Sequence, residues 1–271
     1  MSGIVLTAGY DRAPHSIAVA EGLRRLGCPP TLILIAYPMT VARVRTILRS
    51  RGSGAILRYL RRRTDGTAGP SPLADHLAAA DISEKSLRAW AKRWNVRCLS
   101  VGDINAAGAL RLVKSAEPLV TIYTGGGILR RGFLDAAGRR VINAHSGPLP
   151  AVRGMNACEW SLLLGEPLSV TIHLIDEGID TGAIIERIGV TAQPGDNVSV
   201  LRERCVVAGI DALVRHAHLM VQGRLHTREE EDPGPPQRQC FVLAPALREL
   251  LWRRLPDLVA RQRHLAVKPE K

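Results

Sequence analysis

Short apolar runs alternate with amphipathic stretches along the chain. Ile4-Val5-Leu6 is a continuous apolar run with a tight exit at Thr7-Ala8-Gly9. Helical spacing follows from about Pro14 to Leu26; Pro14 is tolerated in a first turn and Gly27 caps the end. Thr31 to Ala36 is a second strand. Later segments repeat the rhythm: a helix over Ile82 to Trp94, a strand over Arg97 to Val101, a helix through Leu112, and a strand over Leu119 to Tyr123. Val141-Ile142 starts another strand, and Val170 to Leu174 alternates as a half-buried strand does. Asp196 to Gln222 reads as one long helix, with Asn197 as cap and Val200, Leu201, Val207, Ile210, Leu213 and Val214 as its apolar face. It is expected to close the sheet. Alternating strands and helices predict an α/β fold with a doubly wound, mostly parallel sheet and right-handed crossovers.

The boundary is read at Glu229 to Pro236, an acidic, Pro-rich linker. Residues 1–228 then form the main domain, and residues 229–271 a linker plus a short basic appendage, with a short strand and a helix from Phe241 to Arg263. The 271 residues are 46% apolar, enough for a real core. No apolar run approaches a membrane span, and the start lacks a secretory layout. Cys28, Cys98, Cys158, Cys205 and Cys240 are odd in number and scattered, without C-x-x-C. That pattern implies a reducing, cytoplasmic setting, no disulfide framework and no metal site.

The formal charge of +12 comes largely from arginines in two blocks, 43–63 and 238–263. Such a surface steers phosphorylated or nucleotide-linked ligands, or touches nucleic acid or an anionic membrane. The first block carries Val41, Val44, Ile47 and Leu48 at helical spacing and runs into a Gly/Pro/Ser-rich segment, Thr64 to Pro72. It reads as a solvated amphipathic excursion, a phosphate-steering lid, or a peripheral membrane contact. Nucleic acid as the primary partner ranks lower, because 4% aromatic content supplies few stacking platforms.

Two stretches carry chemistry. In Val141 to Gly154, V-I-N-A-H-S-G-P-L-P-A-V-R-G, Asn143 and His145 are spaced i, i+2 and share one side of a strand. One is an amide donor and the other exchanges a proton near neutral pH. In Ser169 to Gly182, a strand bearing His173 leads into the acidic loop Asp176-Glu177-Gly178-Ile179-Asp180-Thr181-Gly182. A third segment, Gly125-Gly126-Gly127-Ile128-Leu129, follows a strand and allows close backbone approach or a sharp turn. There is no G-x-G-x-x-G after the first strand, so a dinucleotide site has little support.

Together these residues resemble the folate-dependent formyltransferases. The family's Asn-x-His, Pro-x-x-Arg-Gly and Asp-x-Gly-x-Asp-x-Gly patterns are met by Asn143, His145, Pro150, Arg153, Gly154, Asp176, Gly178, Asp180 and Gly182. The resemblance implies 10-formyltetrahydrofolate as formyl donor, a primary amine as acceptor, and no metal. It implies catalytic roles for Asn143, His145 and Asp180. Gly125, Gly126, Gly127, Ile128, Leu129, Asp176, Glu177, Gly178 and Ile179 would line the pterin pocket, and Arg153 and Asn156 would meet the acceptor. Few residues follow the linker, too few for the separate barrel of the methionyl-tRNA enzymes. Ala8 to Arg12 is not the phosphate loop of the glycinamide-ribotide enzymes. The expected acceptor is therefore a small-molecule amine, best a nucleotide-linked amino sugar; a hydroxyornithine-like or other secondary-metabolite amine is the alternative. A non-catalytic folate-binding relative is a further reading. A homodimer is expected, with the tail as its contact.

Overall fold

The structure, a computed structural model, describes residues 3–37, 70–224 and 238–262, with Leu265. The apolar runs become strands β1 (Ile4–Ala8), β2 (Pro30–Ala36), β3 (Arg97–Val101), β4 (Val120–Thr124) and β5 (Val141–His145). These pair in parallel in the order β3-β2-β1-β4-β5. Strand β6 (Val152–Gly154) leaves this sheet, while β7 (Ser169–Leu174) adds antiparallel to β5 and β8 (Ile184–Gly189) antiparallel to β7. The result is a seven-stranded, mostly parallel sheet. Strand order reverses between β1 and β4, and the crevice beyond the carboxyl ends of strands at such a point is where α/β folds place ligands.

The continuous apolar runs are explained by burial on both faces. Ile4, Leu6 and Ala8 enter one core and Val5 the other; Ile33 and Ile35 side with the first, Leu32 and Leu34 with the second. The first core is covered by helices α1 (Pro14–Arg25), α3 (Leu87–Arg93) and α7 (Val198–Val221), with α2 (Pro72–Ala79) beside them. The second lies under α4 (Ala107–Ala116) and α5 (Arg131–Ala136), where Val113, Phe133 and Leu134 are buried. Glu21 ties the first layer together: its carboxylate accepts from the Trp90 indole at 3.1 Å and from Arg24 and Arg25.

Several boundaries differ from expectation. The helix expected over 82–94 begins only at Leu87, where the Ser86 hydroxyl accepts from Ala89 N; Asp81, at φ 46, has already turned the chain out of helical geometry. Ser71-Pro72, read as the end of a loop, instead starts α2, with the Ser71 hydroxyl capping Ala74 N. Helix α5 lacks a capping side chain and was not anticipated. The long helix matches closely, and Asn197 caps it through Val200 N at 3.0 Å. The tail strand is β9 (Arg238–Cys240), earlier than Phe241, and it pairs in parallel with β6. Helix α8 (Pro245–Gln262) then packs on α6 (Ala157–Leu164), and Gln262 accepts from Leu168 N and donates to Glu166 O. The arginine block 43–63 and the linker 229–236 lie outside the described residues. All five cysteines are free thiols. Among the described residues no helix is long and apolar enough to cross a membrane.

Candidate active site

Strand β5 delivers Asn143 and His145 to the carboxyl edge of the sheet, and the loop after β7 returns Asp180 to them. Asp180 sits at φ 51, a left-handed conformation that Asp tolerates better than most residues. Its Oδ2 accepts from Gly154 N at 2.8 Å and lies 3.3 Å from His145 Nδ1. The other face of the His145 ring is committed, because Nε2–H donates to the Val152 carbonyl at 2.8 Å. The basic atom left to His145 is therefore Nδ1, the one beside the carboxylate. Burial pushes His145 below the ordinary imidazole pKa, while Asp180 and the Val152 carbonyl pull the other way. The resting ring is neutral at pH 7 and ready to take a proton.

His173, directly opposite Asn143 in the β5–β7 register, is the third imidazole-side participant. Its Nδ1–H donates to the Leu174 carbonyl at 2.8 Å, so Nε2 is an acceptor and takes an N–H of Asn143 at 3.1 Å. That bond uses one N–H of Asn143 and leaves the second for a ligand. His173 Nε2 is also 3.8 Å from Asp180 Oδ1, and burial lowers its pKa more than the carboxylate raises it. The sequence sets His173 facing the acidic loop, in a place to orient the site and more as a structural than a catalytic residue. The signal for more was available in the alternation Thr171-x-His173, which places both on one face of a strand next to Asn143. Thr171 does matching work: its hydroxyl donates to Gly147 O at 2.7 Å and accepts from Leu149 N at 3.1 Å, fixing the turn that follows His145.

Glycines of both motifs answer to space. A Cβ on Gly182 would sit 1.9 Å from Leu174 O, and one on Gly154, at φ +95, would sit 2.2 Å from Cys240 O. In the glycine run, Gly125 packs on the backbone of Gly9, where a Cβ would meet N at 2.9 Å, and Gly126 faces Ala36 and Ile104. Only Gly127 of the three faces open space. Ile128 is 72% exposed beside it, whereas Leu129 is buried in the second core. Asn105 holds this loop, donating to Ile128 O and accepting from Arg130 N.

The other expected residues separate. Asp176 Oδ1 accepts from Thr181 Oγ1 at 2.6 Å and Gly178 N at 3.0 Å, shaping its own loop. Glu177 turns toward Arg139 at 3.3 Å, and Ile179 is exposed. Asn156 is spent on the fold: its Nδ2 donates to Glu159 at 2.8 Å and its Oδ1 accepts from Leu243 N at 3.2 Å. Arg153 keeps a buried Nε with no hydrogen-bond partner among the described residues. Among the described residues no three or more His, Cys, Asp or Glu are grouped to hold a metal ion.

Comparison with known proteins bears on this arrangement. Residues 103–216 match the family described as formyl transferase. A methionyl-tRNA formyltransferase of Geotalea uraniireducens (strain Rf4) is 28% identical over 144 residues, covering 52% of this chain and 46% of the relative. The chain spans about half the length of the curated relatives it matches. The solved phosphoribosylglycinamide formyltransferase of Bacillus halodurans shares the fold with a TM-score of 0.53 at 16% identity, over 80% of this chain and 95% of that one. An N-formyltransferase of Helicobacter canadensis, solved with folinic acid and dTDP-3-aminofucose, gives 0.57 at 12% identity, over 89% and 71%. Asn143, His145, His173 and Asp180 all fall within residues 103–216, the part of the chain that is similar to the formyl transferase family.

Proposed function

We propose that this protein transfers a formyl group from 10-formyltetrahydrofolate to a primary amine, with a nucleotide-linked amino sugar as the best acceptor. The observation that carries the reading is the convergence of Asn143 and His145 from strand β5 with Asp180 from the loop after β7, with Nδ1 of His145 3.3 Å from the Asp180 carboxylate. Toward a planar heterocycle the chain offers the exposed Ile128 and the open backbone at Gly127 in the loop after β4, and the exposed Ile179 in the acidic loop. When bound, the folate supplies an activated formyl carbon.

This chain's residues supply the rest. Asn143, oriented by His173, donates its free N–H toward the formyl oxygen as negative charge grows there; a donor of this kind contributes about 3–4 kcal/mol in acyl transfer. His145, neutral and buried, takes up the amine proton at Nδ1, and Asp180 stabilises the imidazolium that results. Asp180, the more exposed partner at 19% side-chain exposure against 7%, is the group through which that proton reaches the ring.

The acceptor assignment draws support from the Helicobacter canadensis protein, whose structure holds dTDP-3-aminofucose. Methionyl-tRNA is the second reading, favoured by the names of the sequence relatives. The test is incubation of the purified protein with 10-formyltetrahydrofolate and either dTDP-, UDP- and GDP-linked amino sugars or methionyl-tRNA, with products weighed by mass spectrometry. A sugar gaining a formyl mass, with tetrahydrofolate released in step, is the expected result. Formylation of methionyl-tRNA alone would replace the acceptor assignment, and no transfer to any amine would refute the activity.

A further inference from the structure

The ribbon made by β6 and β9 has two unlike faces. Its register pairs Val152 with Arg238, Arg153 with Gln239 and Gly154 with Cys240. Val152 and Cys240 share a face and are buried against Ala157. Alternation puts Arg153 and Gln239 on the other face, and the same parity continues to Met155 and Phe241 just beyond the strand ends. Met155 N donates to Cys240 O at 3.0 Å, and the Trp160 indole donates to Phe241 O at 2.8 Å, so both residues are held in place by their backbones.

Their side chains are nonetheless among the least covered apolar groups described. Ile128 at 72%, Phe241 at 68% and Met155 at 59% are the three most exposed large hydrophobics among the described residues, and they lie on the glycine loop and at the ends of β9 and β6. Ile128 belongs to the glycine loop. Met155 follows Gly154, whose amide holds Asp180, and Phe241 follows Cys240, the residue that pairs with Gly154. Exposed apolar side chains beside a site mark surface that a ligand covers. Arg153, just before Gly154 on β6, keeps a buried Nε with no hydrogen-bond partner among the described residues. A guanidinium with donors to spare is suited to a phosphate oxygen.

We propose that the open face of the β6–β9 ribbon is a subsite for a nucleoside phosphate: Phe241 and Met155 take the planar base, Gln239 reaches its polar edge, and Arg153 takes the phosphate. This rests on the formyl-transfer reading for its purpose, since it makes the tail the element that holds the acceptor's carrier. It also assigns the C-terminal segment a role in substrate choice.

The test is a binding titration of the full-length protein without folate, using dTMP, UMP and GMP as mononucleotide probes, thymidine and inorganic phosphate as fragments, and a short single-stranded RNA. Intrinsic tryptophan fluorescence provides the signal, because Trp160 is bonded to the Phe241 carbonyl. At least one mononucleotide is expected to bind saturably, with each fragment weaker by tenfold or so. Phe241→Ala should weaken the mononucleotide roughly tenfold, within the range for loss of a stacking platform. Arg153→Gln should weaken the mononucleotide and leave thymidine unchanged, with Arg153→Lys in between. Phe241 is mostly solvent-exposed, so its variant is expected to melt with the parent. No saturable mononucleotide binding up to roughly 10 mM, equal affinity in Phe241→Ala and the parent, or binding of the RNA alone would each overturn the proposal. Because no turnover is involved, loss of the formyl-transfer reading and loss of the subsite are read separately.

Discussion

Replacing Thr171 by Val separates a structural hydroxyl from two that do nothing comparable. Thr171 is fully buried on β7, and its Oγ1 pairs both with the Gly147 carbonyl and with Leu149 N. Valine keeps nearly the same shape, so no large cavity forms. What is lost is two hydrogen bonds, leaving a buried carbonyl and a buried amide unpaired. Each such group costs about 1–3 kcal/mol, for a combined loss of about 2–6 kcal/mol. Thr7 and Thr121 are buried to the same degree, yet their Oγ1 atoms have no hydrogen-bond partner among the described residues. Their exchange for Val removes a hydroxyl that is already desolvated without return, and the expected effect is near zero or stabilising. Thermal unfolding followed by circular dichroism reads the difference. At about 2–4 °C per kcal/mol for a chain of this size, Thr171→Val should melt about 4–24 °C lower. Thr7→Val and Thr121→Val should stay near the parent or rise. Equal melting of all three variants would refute the claim that Thr171 pins the turn after His145.

Other expectations concern titration and backbone space. Because burial holds His145 and His173 below the ordinary 6.5, the folded state binds fewer of these protons than the unfolded chain. Stability should be complete above pH 6.5 and fall as pH drops below it; an unfolding series showing no loss below 6.5 would contradict this. The acidic limb of turnover should likewise lie below 6.5, and Asp180→Asn, by removing the group that raises His145, should move what activity remains to a still lower limb. Glu21, held down to about 2 chiefly by Arg24, should add a second loss of stability as pH falls from 4.5 toward 2, absent in Glu21→Gln. Gly154→Ala would drive a Cβ into Cys240 O at a positive φ, so hydrogen exchange at Met155 N should accelerate as β9 separates from β6.

The sheet was legible because its strands are buried on both faces, so apolar runs such as Thr31 to Ala36 announced themselves. The long helix was legible through its Asn197 cap and apolar stripe. Strand β9 was not, since Arg238-Gln239-Cys240 gains its conformation from pairing with β6 and carries no apolar pattern of its own. Helix α2 was hidden because Pro72 reads as a loop residue unless the Ser71 cap is recognised. At the site, the motif spacing marked Asn143, His145 and Asp180, and the structure brings the last two within 3.3 Å. Spacing set His173 beside the acidic loop as a residue able to orient the site, but not its bond to Asn143, which depends on the β5–β7 register. Nor could it show that Leu129 is buried in the second core, that Asn156 bonds Glu159 and Leu243, or that Glu177 pairs with Arg139.

The most direct test of the central claim compares turnover with folate affinity in Asn143→Ala and Asp180→Asn. Both should bind 10-formyltetrahydrofolate within a few-fold of the parent and transfer its formyl group on the order of 100-fold more slowly or worse, as loss of a charge-stabilising donor requires. Near-parental turnover in either variant would contradict the role given to that residue, and near-parental turnover in both would contradict the account of the site.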